Sequence, residues 1–93
     1  MALDIDEAFL RELFAKQDGK CFYSGISFQM DADTKARRFG MSIDRIDSSK
    51  GYTRDNVVLA ASIVNSMKND LSLTDFMTVV QRIVDYQANL DKS

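Results

Sequence analysis

The sequence predicts an α+β fold, and three stretches with different periodicities predict it. Phe9, Leu10, Leu13 and Phe14 recur at the spacing of an amphipathic helix. Ser42-Ile43-Asp44-Arg45-Ile46 alternates polar and apolar side chains, and Asn56 to Ala60 is β-branched and apolar, so two strands flank a polar loop. Leu73, Phe76, Met77, Val80, Ile83 and Val84 then return to helical spacing. A length of 93 residues fits one domain with a small core.

In chain order, Asp4-Ile5-Asp6-Glu7 offers an N-cap and early negative charge to a first helix running to about Gln17. Gly19 is suited to end it. Lys20 to Met30 reads as two short strands around a turn at Ser24-Gly25, with Cys21 as a small buried apolar residue. Asp31 to Gly40 is a polar connection. After the strands, Ala61 to Lys68 suits a short helix, broken at Asn69-Asp70-Leu71. Ser72-Leu73-Thr74-Asp75 resembles a capping box that opens a last packing helix to about Tyr86, and Gln87 to Ser93 is expected to fray.

Composition narrows the function. The chain has one cysteine and no histidine, so it can form neither an intrachain disulfide nor a closed Cys/His zinc site, and it has no histidine base. No apolar run is long enough to span a bilayer, so no membrane partner is expected. The acidic N-terminus lacks a signal pattern, and a cytoplasmic location is expected. The net charge is −2, yet Lys35, Arg37, Arg38, Arg45, Lys50 and Arg54 face only Asp44 and Asp47 over residues 35–54, a local balance of +4. Such a basic centre fits contact with DNA phosphates, which would be weak and salt-sensitive; a solvated face is the plainer alternative.

The same region carries candidate chemistry. Asp44 lies near a strand end, and Asn65 precedes Lys68 by three residues on one helix face. A carboxylate and a carboxamide oxygen are hard ligands that suit Mg²⁺ or Mn²⁺. As a strand-end carboxylate, Asp44 is expected to contribute little to the core. Arg45 can fork two hydrogen bonds to a phosphate, Lys68 can add a point charge, and Asn56 can fix the loop. The bland reading has Asp44 and Asp47 in surface ion pairs with Arg45, Lys50 or Arg54, and Asn65 as an exposed helix residue.

The arrangement resembles the HNH, or ββα-metal, nuclease family. In that family an Asp-His pair ends the first strand, an Asn follows the loop, and a His or Asn lies on the helix, often as Asn-x-x-Lys. Asp44-Arg45, Asn56 and Asn65-Ser66-Met67-Lys68 fall on those places. SIDRIDSSKGYTRDNV is similar to a phage-rich branch, as are the flanking GKCFYSGISF and MKNDLS segments, so the likeness covers about residues 20–76. The resemblance implies a ββα-metal core over about residues 41–68 and metal-dependent DNA endonuclease or nickase activity. It also implies a phage or bacterial protein acting in the host cytoplasm. The oligomeric state stays open, a homodimer included.

Two departures matter. Many relatives carry Cys-x-x-Cys zinc pairs; those places hold Cys21 and Ser24, then Ala61 and Val64. Arg45 stands where the general-base histidine belongs, and a guanidinium cannot accept a proton. Water activated by the metal, Asp47 and Tyr52 are the remaining routes to a base, in that order. Without one, the domain would be a DNA- or protein-binding module, for example a nuclease inhibitor. With no second Cys or His for zinc, purified protein should hold no stoichiometric zinc by elemental analysis and should keep its circular dichroism in chelator. One zinc per chain whose removal unfolds the protein would contradict this.

Overall fold

The computed structural model describes residues 5–29 and 38–91. Its elements are α1 (Glu7–Lys16), β1 (Met41–Arg45), β2 (Val57–Ala61), α2 (Ser62–Lys68) and α3 (Leu73–Asp91). β1 and β2 form a two-stranded antiparallel sheet in which Met41 pairs with Ala61, Ile43 with Leu59 and Arg45 with Val57. Both strands lie within a residue of where alternation placed the first and apolar β-branching the second. The α+β class is therefore observed.

All five residues of β2 are buried. The core gathers around them: Cys21, Phe28, Leu59, Ala60, Ala61, Val64 and Phe76, with Leu10, Leu13 and Phe14 of α1 packed against that cluster. An apolar strand covered on both faces needs no alternation, which is why Val57-Val58-Leu59-Ala60-Ala61 reads as a continuous apolar run. Asp6 caps α1 through a 2.9 Å bond from the Phe9 amide to its carboxylate, as the sequence leads one to expect. Gly19 follows at φ +67°, where a Cβ would meet the Phe14 ring at 3.1 Å.

The outer edge of β2 is closed by a side chain. The Gln17 amide accepts from the Leu59 N–H at 3.0 Å and donates to the Leu59 carbonyl at 2.8 Å, as a neighbouring strand would. The Phe22 amide donates to the same carbonyl at 3.0 Å. Among the described residues, the expected hairpin over Lys20 to Met30 is not formed as two strands. The segment is reduced to one antiparallel bridge, Lys20 with Ser27, around a turn closed by the Gly25 amide on the Cys21 carbonyl. The Cys21 amide donates to the Ile26 carbonyl and the Phe28 amide to the Gly19 carbonyl, while the Phe22 amide is spent on β2.

α2 ends at Asn69, which has a positive φ of 50°. Ser72 then accepts from the Asp75 amide at 3.0 Å, giving the expected cap of α3. The fraying expected from Gln87 is not observed as far as Asp91, because α3 continues to that residue. Its first turns pack through buried Phe76 and partly buried Val80, and the residues from Gln81 to Leu90 are exposed. Among the described residues no helix is long and apolar enough to cross a membrane.

Gln17→Ala leaves the buried Leu59 N–H without an acceptor. It should cost about 1–3 kcal/mol in urea unfolding and speed hydrogen exchange at the Leu59 amide. Unchanged stability and exchange would show that the side chain does not close the edge.

Candidate functional site

Asn56 is the pin of the loop between the strands. Its side-chain oxygen accepts from the Asp47 amide at 3.0 Å, and its nitrogen donates to the carbonyls of Asp47 at 3.0 Å and Gly51 at 2.9 Å. Buried and threefold bonded, it fixes a loop of polar residues that could not otherwise hold one shape. It shapes the site without lining it.

The loop's shape brings Arg45 and Tyr52 together. The Arg45 guanidinium lies 5.0 Å from the centre of the Tyr52 ring and donates to the Lys50 carbonyl at 3.1 Å. Among the described residues it has no carboxylate partner. Both side chains line a polar pocket of about 270 Å³, together with Ile43, Asp44, Ser48, Asn65, Ser66 and Asn69. The residue chemistry that suggested a metal and a phosphate thus converges on one cleft, where the end of β1 meets α2.

Asp44 is buried rather than a peripheral strand end, and it belongs to a polar network. The Tyr23 hydroxyl donates to Asp44 Oδ2, and Lys68 Nζ lies 3.5 Å from the same oxygen. Lys68 is completely buried and donates to the Arg45 carbonyl at 3.0 Å. The expectation that Asp44 adds little to the core is therefore corrected: its loss would strand a buried ammonium. The expected contact of Lys68 with a phosphate is corrected too, since its charge is spent beneath the pocket. Burial and the Asp44 bond push the Tyr23 phenol well above the usual tyrosine range.

Asn65 holds its place through a 3.1 Å bond from its side-chain nitrogen to Ser42 Oγ, which in turn donates to the Ala60 carbonyl at 3.0 Å. This leaves the amide oxygen as its donor atom for a cation. Among the described residues both contacts of Asp44 fall on Oδ2, which leaves Oδ1 as its donor atom for a cation, and Asp44 lines the pocket. Two hard oxygens in one polar cleft fit Mg²⁺ or Mn²⁺ whose remaining positions are filled by water and phosphate. No group of three or more His, Cys, Asp or Glu side chains that could hold a metal occurs among the described residues.

Other expected residues lie elsewhere. Asp47 accepts from the Ser49 hydroxyl and amide, and these bonds hold its carboxyl below the usual range, the wrong direction for a base. It does not line the pocket, whereas Tyr52 does. Arg54 is exposed and lies over Phe9 of α1, 4.9 Å from the ring centre. Lys50 and Arg38 are exposed. Lys35 and Arg37 lie outside the described residues. Sequence reasoning missed Tyr23, whose partner is 21 residues away and on another element.

No family model matches the chain, and no solved structure matches it. An uncharacterised protein of Acanthamoeba polyphaga mimivirus is 33% identical over 69 residues, which cover 74% of this chain. The matched region spans only 12% of that relative's length.

The buried pair makes a distinct prediction. Lys68→Met should cost about 3–5 kcal/mol in urea unfolding by leaving Asp44 uncompensated. Adding Asp44→Asn should recover much of that loss. A Lys68→Met protein as stable as wild type would contradict the pairing.

Proposed function

We propose that the chain is an HNH-like, ββα-metal nuclease domain that hydrolyses DNA phosphodiester bonds with Mg²⁺ or Mn²⁺. The observation that carries this reading is the convergence of Asp44, Asn65 and Arg45 on one polar cleft of a strand-loop-strand-helix unit. The order of those residues along the chain also supports it, through the resemblance noted above.

In this reading Asp44 Oδ1 and the Asn65 amide oxygen hold the cation. A bound Mg²⁺ or Mn²⁺ would supply Lewis-acid polarisation of the phosphate and a more acidic attacking water. Arg45 binds the phosphate and stabilises charge that develops on it, because its guanidinium is half-buried and, among the described residues, unmatched by a carboxylate. Lys68 acts from below by fixing Asp44 and the end of β1. Tyr52 replaces Asp47 as the better-placed protein group for moving a proton. Exposed Lys50 and Arg38 would hold the flanking backbone, together with Lys35 and Arg37.

A second reading has its own support. Arg45 cannot take a proton and Asp47 is tied to Ser49, so the fold also suits a non-catalytic DNA- or protein-binding module. Plasmid nicking separates the two. Wild type should nick in Mg²⁺ or Mn²⁺ and stop in chelator, and Arg45→Ala should lower the rate by about 10²-fold. Arg45→His should preserve or raise the rate, because it introduces a proton acceptor. A silent wild type woken only by Arg45→His would establish the binding module, and full activity in Asp44→Asn would refute the site.

A further inference from the structure

We infer that Tyr23 is a positioning residue for the metal ligand Asp44, setting which carboxylate oxygen meets the cation. The inference rests on the metal-dependent reading above. Tyr23 lies outside the strand-loop-strand-helix unit, in the turn between α1 and β1. Its hydroxyl nevertheless reaches Asp44 across 21 positions of sequence and donates to Oδ2.

The phenol's hydrogen bond and the ion pair with the Lys68 ammonium converge on that single oxygen. Together they fix the carboxylate's rotation and occupy Oδ2, which leaves Oδ1 as the atom for a cation. A hard cation then finds its ligand already oriented and binds it through one oxygen. Lys68 alone would not hold this arrangement. Its ammonium lies 3.5 Å from Oδ2 but only 3.0 Å from the Arg45 carbonyl, which is the tighter of its two contacts. Without the phenol the carboxylate is free to turn about its Cβ–Cγ bond towards the ammonium, which displaces Oδ1.

Tyr23 holds its own place by other means. Its ring packs edge-on against Phe22 at 5.2 Å and Phe76 at 5.9 Å between centroids. The turn that carries it is closed by the Gly25 amide on the Cys21 carbonyl at 2.9 Å. Tyr23→Phe therefore removes the hydroxyl while retaining the ring packing. Metal affinity becomes coupled to a segment that otherwise serves only the core and the edge of β2.

The experiment titrates chelator-treated wild type, Tyr23→Phe, Asp44→Asn and their double variant with Mn²⁺, reading the free ion by electron paramagnetic resonance. Metal-free thermal melts are run alongside. Wild type should bind, Tyr23→Phe should bind about tenfold or more weakly, and the double variant should bind no more weakly than Asp44→Asn alone. Unchanged Mn²⁺ affinity in Tyr23→Phe, whatever its melting temperature, overturns the positioning role and leaves the metal reading standing. Absence of Mn²⁺ binding in wild type overturns both. On the unaltered protein, Mg²⁺ should shift the Tyr23 ring signals in NMR spectra before those of distant Tyr86; unmoved Tyr23 signals overturn the role without recourse to any variant.

Discussion

The structure depends on one buried ammonium. Lys68 has no exposed surface, and its charge is met by the Arg45 carbonyl and the Asp44 carboxylate. Burying a charge is unfavourable unless it is paired and hydrogen-bonded. That requirement forces the end of α2, the end of β1 and the Tyr23 turn into one arrangement. The arrangement is also the floor of the candidate site, so the constraint that orders these elements orders the pocket above them.

Two side-chain amides extend the same logic to backbone that would otherwise lack partners. Asn56 meets both the N–H and C=O groups of its own loop, and Gln17 does so for Leu59 on the edge of β2. A two-stranded sheet is marginal by itself. Here one edge of the sheet is matched by a glutamine and the connecting loop by an asparagine, while a small apolar core covers both faces of β2. The domain therefore holds polar chemistry close to its core without a zinc pair at the places where the resemblance expects one.

Local signals were legible in the sequence. Alternation located β1, apolar β-branching located β2, and Asp6 and Ser72 marked the starts of α1 and α3. Asp44, Arg45, Tyr52 and Asn65, each singled out in the sequence, line one pocket. Nonlocal facts were hidden. The tie from Tyr23 to Asp44 joins distant segments, and lysine is a residue type seldom fully buried, so the burial of Lys68 had no sequence signal. The turn-rich GKCFYSGISF stretch looked like a hairpin, and it does form the turn and one bridge, but pattern alone cannot show that the Phe22 amide goes to Leu59 of β2. The length of α3 was missed because Gln81 to Leu90 are exposed, so no buried stripe marks where the helix stops.

Metal-dependent chemistry in this cleft requires that Asp44 and Asn65 form one cation site. Paramagnetic broadening by substoichiometric Mn²⁺ in an amide NMR spectrum tests it most directly, since broadening falls off steeply with distance from the ion. The account predicts selective loss of signals from Asp44, Arg45, Asn65 and Ser66, with those of the exposed acidic pair Glu7 and Glu12 retained. Broadening that follows exposed carboxylates on α1 and α3 and spares the cleft would contradict it.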